Sequence, residues 1–195
     1  MAHTARILVA GIVMAGALVS AKHSEAAKPQ VDADAVRPVA VAARAGVRTE
    51  SPTVANLIGQ ATQHSATFRE LIDTIEASDG IVYVNEGECA RGVRACLLHM
   101  VTVAGPWRRL WVHVDTQRPD WDLMGSIGHE LHHATEVLSD RRVTSNLAVV
   151  QFFRTEGRVT NGTFETGAAV DAGFAVRAEV REALRTGRLD EGGGR

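Results

Sequence analysis

The residues best equipped for chemistry are gathered in His129-Glu130-Leu131-His132-His133. His129 and His133 are four positions apart, so on a helix they project from one face, about 6 Å apart along the axis. At that separation two imidazole nitrogens can converge on one zinc ion at roughly 2.0–2.1 Å. Glu130 stands beside the first histidine, where a carboxylate can hold a zinc-bound water and take its proton without binding the metal itself. With 8 histidines among 195 residues, chance yields this H-E-x-x-H pattern in only about 2% of chains of like composition. The pattern is therefore read as a metal site, which needs a helix beneath it and further ligands around it.

A catalytic zinc requires a third protein donor and an open position. Glu136 extends the string to H-E-x-x-H-x-x-E, but it lies seven residues beyond His129, about 10.5 Å of helix rise. An unbroken helix cannot bring all three side chains to one ion, and Ala134 and Thr135 offer no break. Glu136 is expected instead to orient His133 through its second ring nitrogen. Glu165 is the expected third ligand, because no histidine follows position 133. In Phe164-Glu165-Thr166 it opens a last helix running to about residue 184, at the top of a small-residue face formed by Ala169, Ala172, Val176 and Ala183. A carboxylate aimed inward needs a proton, a cation or a metal to offset its burial. The helix macrodipole alone also favours a glutamate in a first turn.

The motif helix is expected to start at Asp120 or Asp122 and to bury Leu123, Ile127, Leu131, Ala134 and Leu138. Gly125 and Gly128 interrupt it at about 1 kcal/mol each relative to alanine, which points to a crossing element that must come close. Upstream, Ser51 caps a first helix with Pro52 in its first turn, and a stripe from Val54 to Ile75 holds one face until Ser78-Asp79-Gly80. Three strands follow, over 81–85, 94–103 and 109–115, with gaps that suit an antiparallel meander. In the third, Leu110, Val112 and Val114 face one way and Trp111, His113 and Asp115 the other. Cys89 and Cys96 are spaced too widely for a tight C-x₂₋₄-C metal knuckle and read as a disulfide pinning a hairpin. Thr144 or Ser145 caps a short helix with Leu147, Val150 and Phe153, ended by Gly157, and Asn161-Gly162-Thr163 reads as a turn.

The ends and the composition bound the function class. His3 and Arg6 precede an uncharged run over 7–19, and small residues follow; this is the three-part pattern of a signal peptide over 1–21, cleaved near 21–26. Residues 22–50 lack large side chains and read as a disordered linker, as does the tail 186–195. One domain over 51–185 remains. A net charge of −2 argues against nucleic acid as a partner. No apolar run reaches the roughly 20 residues of a membrane span, so no stable membrane anchor is expected after processing.

The motif and its setting resemble a small zincin of the gluzincin type, in which a helix bearing H-E-x-x-H is followed by a separate helix supplying a glutamate ligand. The matching positions are His129, Glu130 and His133, with Glu165 as the distal carboxylate. The stretch His129 to Glu136 is also similar to the H-E-L-x-H-A-x-E of small exported bacterial proteins of unassigned role. The resemblance implies an α+β fold: an N-terminal helix, a three-stranded antiparallel sheet, the H-E-x-x-H helix and further helices. It implies a peptide or protein substrate, Zn²⁺ as cofactor, Glu130 activating a zinc-bound water, and strand 109–115 as the edge that pairs with extended substrates. The chain departs from the pattern in carrying Ala169 where gluzincins commonly have an aspartate, and in having no Tyr or His after Glu165. The oxyanion-stabilising role would then fall to Tyr83, His113 or Arg177, or to nothing. Three readings remain: an exported zinc metallopeptidase or related amide hydrolase, a catalytically silent zincin-like domain that binds zinc or a partner, and an exported helical scaffold without metal.

Overall fold

The computed structural model describes residues 46–160 and 163–192. The expected signal peptide, the linker up to residue 45, the centre of the 161–163 turn and the last three residues lie outside the described residues. Among the described residues no helix is long and apolar enough to cross a membrane. The described residues form an α+β fold, with a four-stranded mixed sheet, a two-stranded hairpin and five helices. The end of the expected linker is structured, since β1 (Val47–Arg48) pairs in parallel with β2 (Gly80–Glu86).

The first helical stretch is two helices, α1 (Pro52–His64) and α2 (Ala66–Glu76), because Ser65 interrupts it. Ser65 is fully buried in an extended conformation. Its N–H donates to Ala61 O, closing α1, and its Oγ accepts from Phe68 N at 2.9 Å, opening α2. The hydroxyl donates in turn to Glu179 Oε2 at 2.6 Å, and Glu179 also accepts from the backbone N–H and the hydroxyl of Thr67. A carboxylate from far along the chain thus satisfies the first turn of α2. Glu179→Ala should cost about 1–2 kcal/mol, the worth of a good cap. Burial works against the charge of Glu179, but the hydrogen bonds from Ser65 and Thr67 hold its pKa below the ordinary glutamate value. A lowered folded pKa gives stability that is complete above the unfolded value and lost as pH falls through the folded one. The gap between wild type and variant in urea melts should therefore be full at neutral pH and close below about pH 4. Equal stability at pH 7 would refute this role.

The sheet is not the antiparallel three-stranded meander expected. Its order is β1-β2-β4-β3, with β3 (Ala95–Ala104) antiparallel to β4 (Trp107–Val114) and β4 parallel to β2. The reason lies in the connection 87–94. Adjacent strands are about 4.8 Å apart, and this connection is long enough to pass over the end of one strand and leave its slot for β4. Gly87 N donates to Val114 O, and Asp115 N to Arg94 O, so the strap is tied to the end of the strand it crosses. The Cys89–Cys96 disulfide closes this strap rather than a simple hairpin. β4, whose Leu110, Val112 and Val114 are all fully buried, takes an interior position between β2 and β3. β3 becomes the edge, in place of the expected 109–115.

The motif helix is α3 (Trp121–Ser139), and Asp120 is its N-cap, accepting from Leu123 N at 2.9 Å. Ser145 caps α4 (Asn146–Glu156), which buries Val149 and Phe153 and leaves Leu147 exposed. The expected last helix begins later than predicted. β5 (Arg158–Thr160) and β6 (Thr163–Glu165) form an antiparallel hairpin, and α5 (Gly167–Gly192) starts beyond it and runs past residue 184 into the stretch expected to be loose. The crossing element demanded by the glycines of α3 is α5. A Cβ on Gly128 would stand 2.8 Å from Val176 Cγ2, and one on Gly125 would stand 2.9 Å from Gly173 O.

Candidate metal centre

Two elements bring the ligand-type side chains together. α3 supplies His129 and His133 from one face, their rings edge to face with centroids 4.7 Å apart. β6 supplies Glu165, whose Oε2 lies 2.9 Å from His129 Nε2 and 3.7 Å from His133 Nε2. The ligand-type atoms of these three residues all lie within 4.8 Å of one another, so together they could hold a metal ion. Tetrahedral donors at roughly 2.0 Å from an ion sit about 3.3 Å apart, and the 2.9 Å and 3.7 Å separations straddle that value. Glu165 reaches the histidines from the end of a strand, not from the top of a helix as its sequence context suggested. Thr166 then caps α5, with its Oγ1 accepting from Ala169 N.

The orientation of His133 is set by Glu136. Glu136 Oε2 lies 2.8 Å from His133 Nδ1, and Thr166 Oγ1 donates to Glu136 Oε1 at 2.6 Å. Burial opposes the charge of Glu136, but hydrogen bonds from His132, His133 and Thr166 bring its pKa down to about 2. An ionised carboxylate only accepts, so the proton of a neutral His133 resides on Nδ1 and Nε2 presents a lone pair. That Nε2 is buried and has no hydrogen-bond partner among the described residues. A buried, unpaired lone pair facing another imidazole and a carboxylate fits a metal ligand.

Burial and the neighbouring carboxylates shift the two histidines in opposite directions. Burial lowers the pKa of His129, with Coulombic repulsion from His133 adding to it and Glu165 opposing. At His133 burial also pulls downward, but the Glu136 hydrogen bond and the charges of Glu130, Glu136 and Glu165 prevail and raise it. Glu130 is buried, and desolvation pushes its pKa up to about 7 against the pull of His133 and of its hydrogen bond from Leu97. Its Oε2 accepts from Leu97 N at 2.7 Å, while Oε1 lies 3.9 Å from His129 Nε2. The edge strand β3 thus fixes one oxygen of Glu130, and the other stands beside the ligand cluster.

Two cavities meet at this cluster. One of about 710 Å³ lies between the strap and α5 and includes His129, Glu130, Glu165, Arg91, Phe174 and Arg177 in its lining. The other, about 210 Å³, is walled by His99, Phe153 and Phe164 together with Glu130, His133 and Glu165. Of the residues considered for oxyanion stabilisation, only Arg177 lines either cavity. Tyr83 stacks on Trp111, centroids 5.8 Å apart, and His113 packs against Gly87 with Nδ1 3.3 Å from Glu88 O. Both occupy the strand positions that alternate with the buried Val82, Val84, Val112 and Val114, so they face away from the helices. His99 was not anticipated. It sits in the irregularity of β3 between Leu97 and Val101, its ring 5.7 Å from both Phe153 and Phe164. No family model, no curated protein and no solved structure matches this chain.

Proposed function

We propose that the chain is an exported zinc-dependent hydrolase of metallopeptidase type, acting on a peptide or protein substrate and similar in its site to the gluzincins. The observation that carries this reading is the meeting of His129, His133 and Glu165, from two separate elements, beside a glutamate with one oxygen anchored and one available. Two imidazoles and one carboxylate make the three-protein-ligand set of a catalytic zinc with an open position. Bound there, zinc would act as a Lewis acid, polarising a carbonyl and acidifying water.

The protein's own groups divide the remaining work. Glu136, held by Thr166, keeps His133 in one tautomer and one orientation. Leu97 N–H keeps Glu130 turned to the cluster, where its Oε1 can take a proton from an attacking water and pass it to a leaving amine. The cavities on either side give an extended substrate room to lie across the carboxylate. The apolar run over 7–19 and the Cys89–Cys96 disulfide both suit an exported protein in an oxidising compartment.

A second reading, a zincin-like domain that binds zinc without turnover, is favoured by Ala169 at the position of the gluzincin aspartate and by Tyr83 and His113 lying off the site. The test is metal analysis together with a peptide-cleavage screen. Purified wild type should carry one zinc per chain, in excess of iron and manganese, and cleave peptides in a chelator-sensitive way. Glu165→Ala should lose at least about tenfold in zinc affinity. Zinc binding that is indifferent to Glu165→Ala would sink the proposal, and a stoichiometric zinc site without any cleavage would select the second reading.

A further inference from the structure

The larger cavity beside the metal cluster has unlike walls: the carboxylates Glu130 and Glu165 line its metal-cluster end, and Arg91, Arg94, Arg177 and Asp122 line the rest of its charged surface. One wall is the disulfide-closed strap, with Arg91 and Arg94; the other is α5, with Phe174 and Arg177. Arg94 donates to Asp120 at 2.8 Å and approaches Asp122 at 3.4 Å, and it also donates to Arg118 O. Arg177 Nε lies 2.5 Å from the other oxygen of the same Asp122. One carboxylate, Asp122, is therefore shared by guanidinium groups from both walls and bridges the strap to α5. Asp120 is further committed as the cap of α3. Arg91 is exposed at the strap and has no acidic partner among the described residues. The guanidinium of Arg177 lies over the ring of Phe174, 5.5 Å from its centroid, and Phe174 is 61% exposed beside it.

The edge strand is less available to a substrate than the strap is. On β3, Leu97 N already donates to Glu130 and Val101 N to Asn146 Oδ1 at 3.0 Å. A substrate approaching Glu130 from this side meets the strap and α5 instead of a free sheet edge.

We infer that the trough between the strap and α5 is an anion-selective subsite, taking a peptide with a carboxylate side chain near the bond presented to Glu130, and that Arg91 is its specificity-determining residue. This inference rests on the hydrolase reading for the position of that bond but not for the binding itself. A carboxylate at Arg91 balances the unpartnered cation of the strap, and the exposed ring of Phe174 gives the neighbouring part of the peptide an apolar surface. Partly exposed charge pairs of this kind change affinity a few-fold and weaken as salt rises.

The test uses zinc-loaded full-length Glu130→Gln protein and two fluorescein-labelled peptide pools built on the same Ala, Leu and Ser background, one containing Glu and the other Gln. Fluorescence anisotropy should show about fivefold tighter binding of the Glu pool at low salt. Arg91→Glu in the same background should abolish or invert that difference while zinc content stays the same. Equal binding of the two pools, or a Glu preference that survives Arg91→Glu, would overturn the inference, because zinc alone would then account for any attraction. The two readings fail separately. Wild type that binds the Glu pool through Arg91 without cutting it keeps the subsite and removes the hydrolase; wild type that cuts both pools alike does the reverse.

Discussion

Glu130→Gln is expected to lower turnover of any chelator-sensitive substrate by about 10²–10⁴-fold, the usual worth of a positioned general base, with the metal still bound. The reason is the division of labour between the two carboxylate oxygens. Oε2 accepts from Leu97 N, and the carbonyl oxygen of a glutamine can accept the same bond, so β3 and α3 stay joined. Oε1 is the oxygen beside the ligand cluster, and an amide in its place cannot take a proton. His129, His133 and Glu165 are untouched, so zinc content measured on the same samples should match wild type. Stability should not fall, because the substitution removes a buried carboxylate whose charge burial disfavours. Turnover within a few-fold of wild type would show that Glu130 is not the base. Loss of zinc together with activity would show that it ligates or props up the metal.

The parts of this protein that were legible in its sequence are those whose determinants are local. Asp120 caps α3 and Leu123, Ile127, Leu131 and Ala134 are all fully buried, because one helix with its own cap and its own apolar stripe needs no outside information. The inner face of β4 was legible for the same reason: alternation is a property of the strand alone. Strand order was not, because it depends on whether the 87–94 strap folds back beside β2 or steps across it, and both fit the same spacing.

Glu165 shows how a residue can be placed correctly beside its partners for an incomplete local reason. The shortage of other donors pointed to it, but Glu165 ends β6, and the helix starts two positions later at Gly167 with Thr166 capping it. Asn161-Gly162 between two β-branched or aromatic runs is a strong hairpin signal, and the flanking β5 and β6 pair as that signal demands. His99 carried no usable signal. The irregularity of β3 between Leu97 and Val101 resets the alternation there, so no period could assign His99 a side. Arg108 falls one position outside the expected strand 109–115, so its burial did not follow from that reading. It holds the same parity as Leu110, Val112 and Val114, and an arginine on the buried face of an alternating strand must have a dense set of acceptors.

Arg108→Met is accordingly expected to be the most destabilising single substitution outside the apolar core, at about 3–5 kcal/mol, or roughly 10 °C or more in Tm. Arg108 is 2% exposed. Its guanidinium donates to Asp79 at 2.7 Å and to the carbonyl oxygens of Leu138 at 2.6 Å, Asp140 at 2.8 Å, Val137 at 3.1 Å and Val143 at 3.3 Å. These carbonyls include those of the last turn of α3, which has no basic residue of its own there. One side chain from β4 therefore caps the C-terminus of the metal-site helix, satisfies its unpaired carbonyls and complements its dipole. Methionine fills much of the volume but leaves those acceptors and Asp79 without a donor. The pH dependence identifies the mechanism. The hydrogen bond from Arg108 is the largest cause of the lowered pKa of Asp79, so the stability it supplies is complete above about pH 4 and is lost as pH falls through the lower, folded value. Wild type should lose stability in that acid window, and Arg108→Met should lose less there, from a lower starting point. Asp79→Asn should reproduce the flattened acid limb at a smaller overall cost, because the helix carbonyls keep their donor. If Arg108→Met melts within a degree or two of wild type, α3 is held by its apolar face alone, and the geometry of His129 and His133 does not depend on β4.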